Sequence, residues 1–591
     1  MRRIPFLLLL FSLLPSPAPA QPLPDDARRW VDSTLASLSL REKAGQLVVG
    51  WTGGEYVAMD SPEMDSLLAL VERDGIGGFV ISIGLPHSYA AKLNALQRRA
   101  RVPLLVMTDL ESGPGMRLNG AFSLPHLLPM GGGTVFPPVM ALGAIGSDSL
   151  AYEVGKALAR EGRAVGLHVT LAPVLDVNSN PRNPIINTRS FGEDPVRVSA
   201  LAAAYVRGVR EGGLLTVGKH FPGHGDTETD SHLGLPAIRA DRARLDSVEL
   251  PPYRAALAAG LDGMLVGHIA LTGLEGADAE PASLSRGIVT GLLRGELGFG
   301  GLVMTDALNM GAVLARHGPV QPAVLALEAG ADVLLQPPLP GAAVDAVVDA
   351  VRAGRISPAR LDESVRRVLE WKARAGLHRA REVPLEAVDE AVGTRAHRAL
   401  ADTVARRSIT LVRDEGGLVP MVAREPRRVL SITYAAPADL NAGRVFDAEL
   451  SYRGFRVERA RVDERTHPAV YDSLRARAAA ADVVVASAYV HPVDRRGSVG
   501  AAGGYAALVE ELARGGKPVV AVSFGSPYLL DFHPGVPTYL LAWGGADVSQ
   551  RAAARALTGL APITGTLPVS LPPHHARGAG LRRDARFPDA P

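Results

Sequence analysis

From about residue 40 to residue 340 the chain alternates two hydrophobic periods. Short, continuously apolar runs rich in β-branched residues end in a polar residue. Each is followed by a longer Ala-, Leu- and Arg-rich stretch whose apolar positions fall on one helix face. The runs are Gln46–Gly50, Gly78–Ser82, Leu104–Asp109, Leu167–Pro173, Leu214–His220, Gly263–His268, Gly301–Asp306 and Ala331–Gln336. Strands alternating with helices imply parallel pairing, and eight such units is the number that closes a (β/α)₈ TIM-type barrel. An open doubly wound sheet is the alternative use of the same units. Residues 340–373 continue as helix, and 374–405 are charged, irregular and mixed with helix, as in a linker. Short β-rich runs then return at Ser408–Val412, Arg428–Ile432, Asp482–Ser487, Pro518–Ser523 and Thr538–Ala542, with helical stretches before the third and fourth. The fold class is therefore α/β: a barrel domain over 21–373, a linker over 374–405, a smaller α/β sandwich over 406–575, and a disordered, solvated tail over 576–591 that carries Arg577, Arg582, Arg583 and Arg586.

Composition narrows the function classes. Apolar residues are 47% and charged residues 21%, a globular balance, and the formal net charge of +2 offers no basic surface for nucleic acid. Arg2 and Arg3 precede the apolar run Ile4–Leu14 and the small-residue site Ala18-Pro-Ala20, so residues 1–20 read as a signal peptide and the protein as exported, periplasmic or secreted. No cysteine follows the site and no later stretch is long and apolar, so no membrane anchor is expected; the chain has no cysteine at all, hence neither disulfides nor a thiolate nucleophile. Neither a cofactor nor a metal is implied, and the oligomeric state is not readable.

Candidate chemistry lies at the strand ends. In a barrel these form the active-site face, and here they carry Asp109, Asp176, Lys219, His220, His268 and Asp306. Any one acid can simply cap the next helix; polar ends on five of the eight runs describe a small-molecule site. The segment Lys219-His-Phe-Pro-Gly-His-Gly-Asp-Thr-Glu-Thr-Asp-Ser-His232 packs three His, two Asp, one Glu and one Lys into fourteen residues. A zinc site on His220 and His224 competes with a structural loop and with a catalytic, sugar-binding loop. Pro222, Gly223 and Gly225 prevent the helix that would set both imidazoles on one face. Gly131-Gly-Gly133 lacks the lysine of a phosphate cradle and reads as a turn. Trp51 reads as a core side chain, with sugar stacking as the alternative.

The fourteen-residue loop resembles the signature loop of glycoside hydrolase family 3, most closely its bacterial β-N-acetylglucosaminidase branch. Ala172-Pro-Val-Leu-Asp-Val-Asn178, Asn187-Thr-Arg-Ser-Phe-Gly-Glu-Asp-Pro195, Val303-Met-Thr-Asp-Ala-Leu-Asn-Met310 and Val135-Phe-Pro-Pro-Val-Met-Ala-Leu-Gly143 agree in order and spacing. The likeness is strong over 30–370 and extends more weakly through Ala405–Val412. It implies Asp306 as a nucleophile forming a covalent glycosyl intermediate, His232 as general acid/base, and Asp230 as the group orienting His232. It implies Asp109, Arg117, Arg189, Lys219 and His220 as binders of the terminal sugar, with His268 matching less firmly. One departure is that the family's Asp-x-Glu-Gly-Gly is here Asp109-Leu-Glu-Ser-Gly113.

The residue types suit retaining glycoside hydrolysis, which needs a carboxylate nucleophile and a group that acts first as acid and then as base. An imidazole, titrating near pH ~6.5 when unperturbed, does this work with a carboxylate fixing its tautomer. Gly223 and Gly225 are expected to let the dyad swing over bound sugar. The leading reading is a β-N-acetylhexosaminidase that removes non-reducing terminal β-N-acetylglucosamine from an oligosaccharide. β-Glucosidase or β-xylosidase activity, and phosphorolysis by the same dyad, are the alternatives within the enzyme class. From another class, a non-catalytic periplasmic sugar-binding protein remains, although it would need no nucleophile–acid pair.

Overall fold

The computed structural model describes residues 22–123, 128–422, 427–501 and 503–586. The expected signal peptide, 1–20, lies outside the described residues. Eight parallel strands, β1 (Val48–Thr52), β2 (Gly78–Ile81), β3 (Leu105–Thr108), β4 (Val169–Thr170), β5 (Leu215–Phe221), β6 (Gly263–Val266), β7 (Leu302–Thr305) and β8 (Leu334–Leu335), fall within or beside the eight runs. They pair in chain order, and β8 returns beside β1 with Val48 opposite Leu334. The remaining gap is bridged between Met304 and Val333, and the Asp332 N–H donates to the Val303 carbonyl at 2.7 Å. This is a nearly closed barrel, not an open doubly wound sheet. The strands are apolar on both faces because side chains fill the interior while helices cover the outside. Serine and aspartate side chains start several of those helices, including Ser39, Ser61, Ser147, Asp194 and Ser357, by accepting from first-turn N–H groups.

The second domain holds β9 (Thr410–Asp414), β10 (Arg428–Ala435), β11 (Arg456–Val462), β12 (Val483–Tyr489), β13 (Val519–Ser523) and β14 (Thr538–Leu541). They lie in the order β9-β14-β13-β12-β10-β11, parallel except for β9 on β14. Strand β11 is absent from the sequence reading. Arg456-Val-Glu-Arg-Ala-Arg-Val462 pairs only with β10, and most of its side chains reach solvent, so an edge strand carries charge where an interior strand carries valine.

Two expectations are corrected. The tail is not free as far as Arg586: the Leu581 N–H donates to Leu411, and Arg583 pairs with Asp414 at 2.8 Å, because a buried carboxylate on β9 requires a cation. Trp51 is 54% exposed at the end of β1, not part of the core. The domains share one apolar cluster running from barrel residues such as Phe191 to Leu541 and Trp543. Polar links cross the same boundary: Asn178 Nδ2 donates to the Tyr528 hydroxyl at 2.8 Å, and the Ser570 hydroxyl to Glu193 at 2.6 Å.

Candidate active site

Asp109 follows β3 directly. Its two oxygens accept from Lys219 Nζ at 2.6 Å and Arg117 Nη2 at 2.9 Å. Lys219, on β5, also lies 2.6 Å from Glu111 Oε1. Arg189 grips Glu111 with Nε and Nη2, each at 2.8 Å. Burial alone would raise the Asp109 carboxyl, but Lys219 and Arg117 outweigh it and hold it down at about 2. Glu111 is likewise held well below its ordinary range against burial, by Arg189 and Lys219. Burial would lower the Lys219 ammonium, yet Asp109 and Glu111 raise it. Glu111 was not among the expected site residues; its only signal was its place in the Asp109-Leu-Glu segment. The departure at Ser112 leaves this network intact. The following Gly113 has φ 93°, and a Cβ there would meet the Phe136 ring at 2.5 Å, so this second glycine is the one the backbone requires.

Asp176, fully buried beyond β4, accepts from His220 Nδ1 at 2.7 Å and from the His224 N–H at 2.7 Å. The His220 Nε2 then lies 3.4 Å from Arg189 Nη2. His224 is also occupied, with Nδ1 at 2.7 Å from the Thr227 hydroxyl and Nε2 at 3.2 Å from that of Ser231. These are the contacts made by the two imidazoles of the pair that suggested zinc. Among the described residues no group of three or more His, Asp or Glu is placed to hold a metal ion.

Asp306 comes directly after β7. It is partly exposed, and its Oδ1 accepts from the Ala307 N–H at 2.8 Å. Burial pushes its carboxyl up, but His220, His268, the Ala307 N–H and His232 together bring it below the usual range. His268 differs from expectation. It is fully buried, with Nδ1 at 2.7 Å from the Ser283 hydroxyl and Nε2 at 3.0 Å from the Ala307 carbonyl. With both nitrogens engaged it has nothing to offer a sugar hydroxyl; it steadies the peptide that holds Asp306.

His232 Nδ1 stands 2.8 Å from Asp230 Oδ1, and the Asp230 oxygen also takes the His232 N–H at 2.9 Å. The second Asp230 oxygen accepts the Arg495 N–H at 2.8 Å, a contact from the C-terminal domain. Asp230 is buried, whereas the His232 side chain is 24% exposed. Burial would raise the Asp230 carboxyl, but hydrogen bonds from His232 lower it. Arg495 could not be foreseen, because a backbone N–H carries no residue-type signal.

The glycines of this loop pack tightly instead of serving as free hinges. A Cβ on Gly225 would lie 1.7 Å from the Val177 carbonyl, and Gly223 has φ 137° with Glu249 Cγ 2.7 Å from its built Cβ. The loop is pinned at its start because Asp176 and His224 must be desolvated together.

Sequence profiles of the glycosyl hydrolase family 3 N terminal domain and C-terminal domain match residues 39–371 and 380–586. The chain belongs to glycosyl hydrolase family 3. It is 31% identical over 582 residues to a "beta-N-acetylglucosaminidase/beta-glucosidase" of Cellulomonas fimi, covering 93% of this chain and 96% of that one. It is 34% identical over 351 residues to the "beta-hexosaminidase LpqI" of Mycobacterium tuberculosis, covering 57% and 84%. Among solved structures it resembles a family 3 β-N-acetylglucosaminidase from Paenibacillus sp. str. FPU-7, with a TM-score of 0.79, 32% identity, and 90% and 99% of the two chains covered. It also resembles a β-glucoside phosphorylase, BglX, bound to 2FGlc, with a TM-score of 0.83, 28% identity, and 93% and 97% covered.

As a family 3 member the protein is a glycoside hydrolase. Five of the charged groups at its barrel mouth (Asp109, Glu111, Arg117, Arg189 and Lys219) neutralise one another to within one charge while leaving hydrogen-bonding capacity toward a polyhydroxylated ring. A cleft of about 800 Å³ opens beside Glu111 and Arg189, walled on its other side by Tyr489, Trp543 and Arg551 of the C-terminal domain.

Proposed function

We propose that the protein is a retaining β-N-acetylhexosaminidase that cleaves non-reducing terminal β-linked N-acetylglucosamine through a covalent ester on Asp306. The observation that carries this reading is the Asp230–His232 pair at 2.8 Å through Nδ1, which leaves Nε2 on the side away from Asp230, on the same barrel mouth as an Asp306 carboxylate whose charge His232 helps to hold. Asp306 attacks the anomeric carbon while His232 Nε2–H protonates the departing oxygen. Water then attacks the ester, His232 takes its proton, and the bond to Asp306 breaks with its electrons returning to the carboxylate. Asp230 keeps the proton of Nδ1 on its own side, so that Nε2 is the working atom, and stabilises the imidazolium. Asp109, Arg117, Lys219, Arg189 and His220 hold the sugar. The N-acetyl preference is supported by the relatives named for acetylglucosamine or hexosamine. The signal-peptide pattern of residues 1–20 supports export.

The test is a panel of p-nitrophenyl β-glycosides that differ at C2. The N-acetylglucosaminide is expected to be cleaved with the highest kcat/KM. Faster cleavage of the glucoside or xyloside would overturn the sugar assignment, and binding with no release of nitrophenol would overturn the enzyme reading.

A further inference from the structure

The C-terminal domain sends one loop, residues 491–500, to the catalytic dyad. It leaves β12 and turns through Arg495, a non-glycine residue at φ 65°. It is fastened at three points. The Arg495 N–H binds Asp230, Arg496 pairs with Glu464 at 3.1 Å, and Gly497 lies against Leu233, whose Cδ1 would stand 3.4 Å from an added Cβ. Between the first of these points and Val493 stands Asp494. Its Oδ2 is 3.7 Å from His232 Nε2, and its side chain is 70% exposed. Nothing in the dyad needs this second carboxylate, since Asp230 already holds Nδ1.

We propose that Asp494 sets the acceptor, selecting water over phosphate in the step that releases the sugar from Asp306. This rests on the reading of His232 as acid/base, because Nε2 marks where the leaving oxygen departs and where the acceptor then arrives. Two effects of Asp494 act in the same direction. A phosphate dianion at that position must approach a fixed negative charge within a few ångströms, whereas water does not. Water needs a base, and a carboxylate 3.7 Å from Nε2 can accept one hydrogen of a water that gives the other to His232; phosphate attacks without that help. In either case the acceptor oxygen bonds to the anomeric carbon and the carbon–oxygen bond to Asp306 breaks, returning its electron pair to the carboxylate. With water one proton passes to Nε2; with the phosphate dianion no proton moves. The structural relatives bear both glucosaminidase and phosphorylase names on one fold, so the fold alone does not choose the acceptor.

The experiment compares the full-length protein with Asp494→Asn and Asp494→Glu on p-nitrophenyl β-N-acetylglucosaminide in rising inorganic phosphate. The readout is the ratio of sugar 1-phosphate to free sugar by phosphorus NMR and chromatography. This ratio does not depend on how much of a variant is folded. The wild type is expected to give free sugar, Asp494→Asn to raise the ratio about tenfold or more, and Asp494→Glu to keep the wild-type ratio because it keeps the charge. An unchanged ratio in Asp494→Asn, equal ratios in the two variants, or sugar phosphate as the main wild-type product would overturn the proposal. Absence of turnover by the wild type itself would overturn the reading of His232 beneath it, a failure distinguishable from the others.

Discussion

His232 and Asp109 carry the sharpest consequences of single side chains. His232→Ala should lower kcat/KM by about 10²–10⁴-fold on glycosides whose alkoxide leaving group needs a proton. The loss should be much smaller for the glycosylation step with a dinitrophenyl leaving group, which departs unprotonated. A Brønsted series on the variant measures this, and an equal loss across the series would remove His232 from the acid role. Asp109 is ionised down to about pH 2 in the folded protein, against an ordinary value of 3.8. Its share of stability is therefore fully present above about pH 4 and disappears as pH falls through 2. Asp109→Asn should cost about 2 kcal/mol at neutral pH, with the gap between wild type and variant closing as chemical unfolding is repeated toward pH 2. A gap independent of pH would mean that the Lys219 and Arg117 pairs do not hold the carboxylate down. Asp109 was legible as the ionisable group where an apolar run ends, and His232 as the last residue of a loop dense in His and Asp that resembles the family's signature. Glu111 and Arg495 were not. Glu111 sits inside a loop after the strand, and Arg495 contributes a peptide N–H from a part of the chain more than two hundred residues away.

The segment from Pro222 to His232 behaves as an element in its own right. Its sequence suggested mobility through Gly223 and Gly225, but glycine permits close approach as well as freedom, and here the backbone of Val177 occupies the space a side chain would need. Gly225→Ala should therefore misplace the dyad, not stiffen it. Thermal melts are expected to show a loss of about 2 kcal/mol or more, and kcat on p-nitrophenyl β-N-acetylglucosaminide should fall with it. A variant with unchanged melting and unchanged kcat would restore the hinge reading. His268 teaches a related lesson: a histidine at a strand end looks the same in sequence whether it faces a ligand or supports the peptide behind one, and only the Ser283 and Ala307 contacts decide between them. Strand β11 was hidden for the opposite reason, because exposure at a sheet edge erases the apolar run that marks a strand.

For the whole molecule, the barrel was legible from eight apolar runs alternating with helical stretches, and the position of β8 beside β1 settles closure over an open sheet. The domain boundary is less sharp than a linker suggests, since one apolar cluster spans both domains and the dyad itself receives a hydrogen bond from the far side. Calorimetry should accordingly show one cooperative unfolding transition for both domains, and two separated transitions would contradict a shared core. The functional account stands on Asp306 becoming covalently attached to the sugar. The most direct measurement is to treat the protein with a 5-fluoro-N-acetylglucosaminyl fluoride, which slows hydrolysis of the intermediate, and to map the modified peptide by mass spectrometry. The account predicts one glycosyl unit per chain, on Asp306. A label on another residue, or turnover with retention and no labelled protein, would contradict it.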